Sequence, residues 1–310
     1  AGDRAKDAYA NQDAIRFYSM AIDCLSKDGT EGEEVKNIEC LRNRAKVLRL
    51  IGDNEKAIVD LEEAIERARI IGDKKKKADC LCELCKIHQD TAQYNEAMQK
   101  VKKAFKIYKE LDDKEGRASS LDLIGSIYRC LSKYPKALKY YQNSIEIQKE
   151  IGNSNGEAIT LSNIGIVYGE MGEYSKALEL FNKSLKIRKK ISDHQGVAAS
   201  LNNIGIVYDF LSECSKALKY YLKSLNIVKE IGNRMGEAII LNNLGIISLY
   251  FGEIPKAMKF NKQSLKINKE IGNRIGEGAS LTNIGVAYEK LGEYSTSLEF
   301  YRMSLKIYKE

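Results

Sequence analysis

The chain of 310 residues holds no tryptophan, two prolines and two histidines. A proline in a helix interior removes a backbone donor and clashes with the preceding turn, so a chain with only Pro135 and Pro255 leaves long stretches open to helix. His88 and His194 lie far apart and offer no imidazole pair for acid–base work. No phosphate-binding loop, HExxH, GxSxG or EF-hand loop occurs. The chain is therefore read as non-enzymatic, with no cofactor. It also lacks an apolar run of membrane-spanning length and any signal-peptide pattern, which points to a soluble protein with no membrane partner.

Cysteine is present without the spacing of a disulfide framework. The seven cysteines are an odd number scattered through helical patterns, which favours a reducing cytoplasm. One group invites a metal reading: Cys82, Cys85 and His88 recur at three-residue steps beside Cys80. Their places in the repeat described next are inward-facing, so packing is the reading adopted and no metal site is assigned. Net charge is +7, carried mostly by lysines such as those of Lys183–Lys190, with no basic block of the kind that marks a nucleic-acid footprint.

What the chain does have is a period of forty residues. Gly116, Gly156, Gly196, Gly236 and Gly276 share one register, Leu121, Leu161, Leu201, Leu241 and Leu281 a second, and Gly125, Gly165, Gly205, Gly245 and Gly285 a third. Such a period, held without insertion, predicts a solenoid in which each repeat packs on its neighbours. Within one repeat, Leu161, Ile164, Gly165 and Tyr168 recur at helical spacing and predict a first helix over 158–169. A glycine inside a helix costs about 1 kcal/mol relative to alanine, so its recurrence implies close approach of another helix. Met171–Ala177 is expected to turn, with Gly172 in the left-handed conformation, and a second helix follows with Ala177, Leu178, Phe181, Leu185 and Ile187 inward. Pro135 and Pro255 fall at the start of second helices, where they do no damage.

The pattern of small residue, Leu, Asn, Ile/Leu-Gly and Tyr, then Gly-Glu-Tyr and Ala, resembles the tetratricopeptide repeat (TPR), and its Leu-x-Asn-Ile-Gly core is most similar to the long Leu-Gly-Asn type. The resemblance implies an all-α, right-handed α-solenoid of antiparallel helix pairs, a TPR superhelix with first helices on the concave side. Against the usual TPR period of about 34 residues, the added residues are expected to lengthen the second helix and its exit turn.

Taken in order, residues 1–32 form a partial repeat and a loop, with a second helix over NQDAIRFYSMAIDCL and an irregular connection at Ser26–Glu34. Seven repeats follow, at 33–72, 73–112, 113–152, 153–192, 193–232, 233–272 and 273–310. In the first, Ala45 and Leu48 replace the close-packing glycine and the tyrosine; in the second, Cys85 and His88 do. No polar capping helix is evident, so both ends look cut from a longer protein or covered by a partner.

The family pattern also places the groove. Before the close-packing glycine stand Asn163, Asn203, Asn243 and Asn283, preceded in two repeats by Asn202 and Asn242. An amide donates and accepts, as an extended peptide backbone requires; the same residues could instead bridge adjacent helices. After the glycine come Ile206 and Ile246, with Phe210 and Tyr250 a turn later, apolar positions suited either to a partner's side chains or to packing between repeats. In the early repeats the corresponding region carries Arg42, Lys46, Arg49, Lys86 and Arg129, which makes that end basic and suited to acidic ligand residues, unless these are ordinary surface charges. These features lead to a protein–protein interaction scaffold that binds an extended or helical peptide segment of a partner in its concave groove. Two alternatives stand beside it: a regulatory TPR segment of a larger signalling enzyme, such as a caspase-like peptidase, cyclase or kinase, with an intramolecular partner in flanking sequence; and an architectural, self-assembling spacer.

Overall fold

The computed structural model describes residues 2–3, 11–25 and 31–309. Apart from residues 2–3, the expected first-helix remnant ahead of residue 11 lies outside the described residues, as do residues 26–30 of the irregular connection. Among the described residues every regular element is a helix. Second helices are α1 (Asn11–Leu25), α3 (Asn54–Ile70), α5 (Tyr94–Glu110), α7 (Tyr134–Glu150), α9 (Tyr174–Lys190), α11 (Cys214–Glu230), α13 (Ile254–Glu270) and α15 (Tyr294–Lys309). First helices are α2 (Glu31–Ile51), α4 (Lys74–Asp90), α6 (Lys114–Cys130), α8 (Ser154–Glu170), α10 (His194–Phe210), α12 (Arg234–Tyr250) and α14 (Arg274–Lys290).

In the five repeats from 73 to 272 the two helices are equal, 17 residues each as in α6 and α7, so the added length is not visible as a longer second helix. The connections are shorter than the sequence suggested. Gly172 does adopt φ +77°, but the turn is over by Glu173, whose N–H reaches Tyr168 O at 2.8 Å while that of Gly172 reaches Gly169 O at 3.0 Å. That pair of bonds is a Schellman closure, and Tyr174 to Ala177 already belong to α9. The same turn recurs at the exit of the second helix, where Gly152 has φ +67°. Asn153 does more than end a helix: its side chain accepts from Gly156 N at 2.9 Å and so caps the next first helix, as do Asp113, Asp193, Asn233 and Asn273 at their own repeats. Pro135 and Pro255 sit at the first positions of α7 and α13.

The close-packing glycines meet side chains of the second helix in their own repeat. A Cβ on Gly125 would lie 2.8 Å from the Tyr141 ring, and one on Gly165 2.8 Å from Phe181. Where the glycine is replaced, the ring shrinks with it: Cys85 packs in one cluster with Val101, and Ala45 with Leu61. A serine column adds a polar tie that hydrophobic patterning does not reveal. Ser144, Ser184, Ser224, Ser264 and Ser304 are buried and donate to the backbone carbonyls of Ala118, Ala158, Ala198, Ala238 and Gly278 at 2.7–2.9 Å.

Two compact units result, residues 11–187 (with 2–3) and residues 188–309. In the first, the core runs as separate clusters centred on Leu41, Leu61 and Leu84, on Leu81 and Tyr108, on Val101 and Ile127, and on Tyr141 and Val167. In the second, one cluster joins Tyr221, Leu225, Leu241, Leu244 and Ile267. Inside each unit, successive first helices touch one another, while successive second helices make no comparable approach. Each unit is therefore bent toward its row of first helices, which forms its inner side.

Candidate ligand-binding surfaces

The first unit holds a cleft of about 540 Å³ on this inner side. Its lining fixes which positions of a first helix face inward. Asp79, Cys82, Glu83 and Lys86 of α4 contribute, as do Ser119, Asp122, Leu123 and Ser126 of α6 and Ile159 and Asn163 of α8, positions related by the repeat. Of the residues expected from sequence, Arg42, Lys86 and Asn163 are thus brought into one cleft.

The basic character expected here is compensated. Arg42 pairs with Asp79 at 2.7 Å, Lys86 with Glu83 at 2.9 Å, Arg49 with Asp90 at 2.7 Å and Arg129 with Glu170 at 2.5 Å, while Lys46 lies 3.9 Å from Glu83. Most of these carboxylates sit on the next first helix, one repeat on, which sequence reading one helix at a time does not reveal. Burial works to raise the Glu83 pKa, but Lys86 and Lys46 outweigh it and hold the carboxyl below its ordinary range. Four of the five cations tie successive first helices together and Lys86 pairs within α4, so the expectation of an end that offers surplus positive charge is corrected accordingly.

Asp122 was not singled out by sequence. It is half-buried in the lining of the cleft, accepts from Thr160 Oγ1 at 2.9 Å, and takes part in no ion pair among the described residues. Burial pushes its pKa up to about 7; the hydroxyls of Thr160 and Ser144 offset this only in part.

In the second unit the same inward positions carry amides and aliphatics. Asn202, Asn203, Asn242, Asn243 and Asn283 are half-buried, as are Ile206 and Ile246. Asn243 Nδ2 donates to Asn202 Oδ1 at 2.9 Å, so α10 and α12 are bridged by amides of the ladder itself. Ile206 leans on the core cluster of this unit, a packing role that its half-exposure leaves compatible with ligand contact. Phe210 and Tyr250 are 67% and 68% exposed, which separates them from the core. Ile239, 47% exposed at an inward position, was missed because its neighbours in register, Ala199 and Ala279, carry no signal.

The cysteine and histidine group separates. Cys80, Cys82 and Cys85 enter three different hydrophobic clusters, and His88 Nδ1 bonds Gln93 Oε1 at 2.6 Å. Burial lifts the Cys80 and Cys85 thiols to about 12 and Cys82 to about 11, the behaviour of inert packed thiols. Among the described residues no group of three or more His, Cys, Asp or Glu is disposed to hold a metal ion. None of their helices is long and apolar enough to cross a membrane.

Paired helices at a forty-residue repeat with an inward-facing row define an α-solenoid of the TPR kind. The tetratricopeptide repeat model matches residues 116–190, 181–230, 196–270 and 236–310, and the chain belongs to that family. No curated protein matches it. Among solved structures it is similar to a Rap protein complexed with Competence and Sporulation Factor (17% identity, 95% of this chain and 80% of that one, TM-score 0.72). It is also similar to the Rap conjugation gene regulator of plasmid pLS20 in complex with the Phr* peptide (18%, 89% and 75%, 0.69). A third is the apo form of the quorum sensor NprR from B. thuringiensis (18%, 96% and 82%, 0.66). At these identities the likeness is one of fold.

Proposed function

We propose that this chain is a non-catalytic binding module of the cytoplasm that holds an extended or short helical peptide segment of a protein partner along its first helices. The observation that carries this reading is the inner row of the second unit, where amides at 203, 243 and 283 run beside aliphatics at 206 and 246 with exposed Phe210 and Tyr250 at its edge. Amides that both donate and accept match an extended backbone, and half-buried aliphatics beside them accept side chains. The bridge from Asn243 to Asn202 presets the amide orientation. One similar structure is described as a complex with a peptide, and a fold that carries peptides in that setting supports the reading by analogy. All seven cysteines are free, in keeping with a reducing compartment.

The test is selection of a random linear peptide library on the full chain, followed by titration calorimetry of a selected peptide against the parent and against Asn203→Ala with Asn243→Ala. A loss of tenfold or more in affinity, with the melting temperature held, is expected. Selection of no peptide, or equal affinity for both proteins, would overturn the assignment.

A further inference from the structure

The cleft of the first unit has a charge balance opposite to the one its lysines and arginines suggest. Three cations line it, Arg42, Lys75 and Lys86, and each is taken up within the fold: Arg42 by Asp79 at 2.7 Å, Lys75 by Asp113 at 2.7 Å, Lys86 by Glu83 at 2.9 Å. Two further carboxylates line the same cleft, Glu115 and Asp122, and neither enters a salt bridge among the described residues. Asp122 is the telling one. It is the more deeply set, it is held in place by a hydroxyl donor, Thr160 Oγ1 at 2.9 Å, and no Lys, Arg or His among the described residues forms an ion pair with it. A carboxylate drawn partly out of water without a counter-charge is costly unless something supplies one. The cleft, at about 540 Å³, is of a size that takes a small ligand or one or two side chains.

We infer that this cleft is a cation-accepting site, in which Asp122 receives the ammonium or guanidinium group of a ligand, with Glu115 at the rim and Leu123 and Ile159 against its aliphatic part. Lys75 and Lys86, saturated by their own carboxylates, exclude a second cation and set where the first can sit. The inference rests on the proposed peptide function if the group belongs to a lysine or arginine of the bound segment. It is independent of that function if the cation is a free polyamine. The chain's net charge of +7 works against loose polyamine adsorption, so binding of either kind reports a defined site.

The experiment has two arms on the full chain. In one, the random peptide selection is read for enrichment of lysine or arginine at one position, and the selected peptide is titrated against Asp122→Asn and Lys86→Met. In the other, the thermal shift given by spermidine is compared for the same proteins. Selected peptides with a fixed basic residue, bound at least tenfold more weakly by Asp122→Asn and more tightly by Lys86→Met, establish the site and its peptide source. These two opposed effects do not follow from general destabilisation. A spermidine shift abolished by Asp122→Asn, with no peptide selected, keeps the site and removes the peptide function. Peptides selected without a basic residue and bound equally by Asp122→Asn, with no spermidine shift, overturn the site and leave the peptide function standing. If neither probe binds, both readings fall.

Discussion

At the scale of single residues, the informative positions are those where one repeat departs from the others. Below the close-packing glycine, Tyr141 and Tyr301 meet Arg129 and Glu289, Tyr221 lies in the field of Asp209, and Phe181 stands in the repeat that has Gly169 there. The repeat at 233–272 has Leu249 and places Asn261, fully buried against Gly245, with neither amide atom hydrogen-bonded among the described residues. An unsatisfied buried amide costs about 1–3 kcal/mol. Asn261→Phe should therefore raise stability by about that amount, read as a higher urea midpoint at unchanged slope. An unchanged or lower midpoint would show that this repeat does not take a ring despite its glycine. Asp122 gives the second residue-scale prediction. Its carboxyl titrates near 3.8 in an unfolded chain and near about 7 in the fold, so between those values the folded state binds more protons and stability falls as pH rises. Asp122→Asn should be more stable than the parent above pH about 7 and gain nothing below pH about 4, with a flatter profile between. A constant difference across that range would mean that Asp122 ionises as freely in the fold as outside it. A residue that costs stability and lines a cleft is the usual sign of a position kept for binding.

At the scale of the helix pair, what holds a repeat together is a complementary pair of volumes and a serine tie. Gly205 shows this, since a methyl group there would lie 2.6 Å from the Tyr221 ring, itself fully buried. Gly205→Ala should cost about 1–3 kcal/mol through overpacking, more than the helix propensity of alanine returns. The natural pairs Ala45 with Leu61 and Cys85 with Val101 show the remedy. Tyr221→Leu alone opens a cavity, whereas the double variant should recover at least half of the Gly205→Ala loss, a coupling that a double-mutant cycle measures. Additive losses would mean that the two residues are not the contact that sets helix spacing. The glycine column and its role were legible in the sequence because a costly residue repeated in register implies a constraint. The aromatic partner was legible only as a core position. The serine column was not read, because a hydroxyl in a lysine-rich helix looks like surface until its acceptor, a backbone carbonyl twenty-six residues back, is in view.

At the scale of the molecule, the forty-residue period carried the fold, since each repeat needs only its neighbours and one register determines them all. The inner surface was half legible. Register placed Asn203, Asn243, Ile206 and Ile246 in the inward columns, but the sign of the charge in the first unit depended on pairs such as Arg42 with Asp79 and Arg129 with Glu170, formed between successive first helices. Neighbour-only packing has a mechanical consequence. In a linear array, destabilising one repeat lowers the stability of those it touches and decays along the stack, unlike a globular core in which every residue shares one transition. Gly285 lies in α14, where a side chain would meet the Tyr301 ring at 2.6 Å. Gly285→Val should therefore speed amide hydrogen exchange in α14 and α15 most, in α12 and α13 less, and leave the slow amides of α4 and α5 in the other unit near their parental rates. Equal loss of protection at α4 and α15 would show a single cooperative block, in which stability is not a sum over repeats.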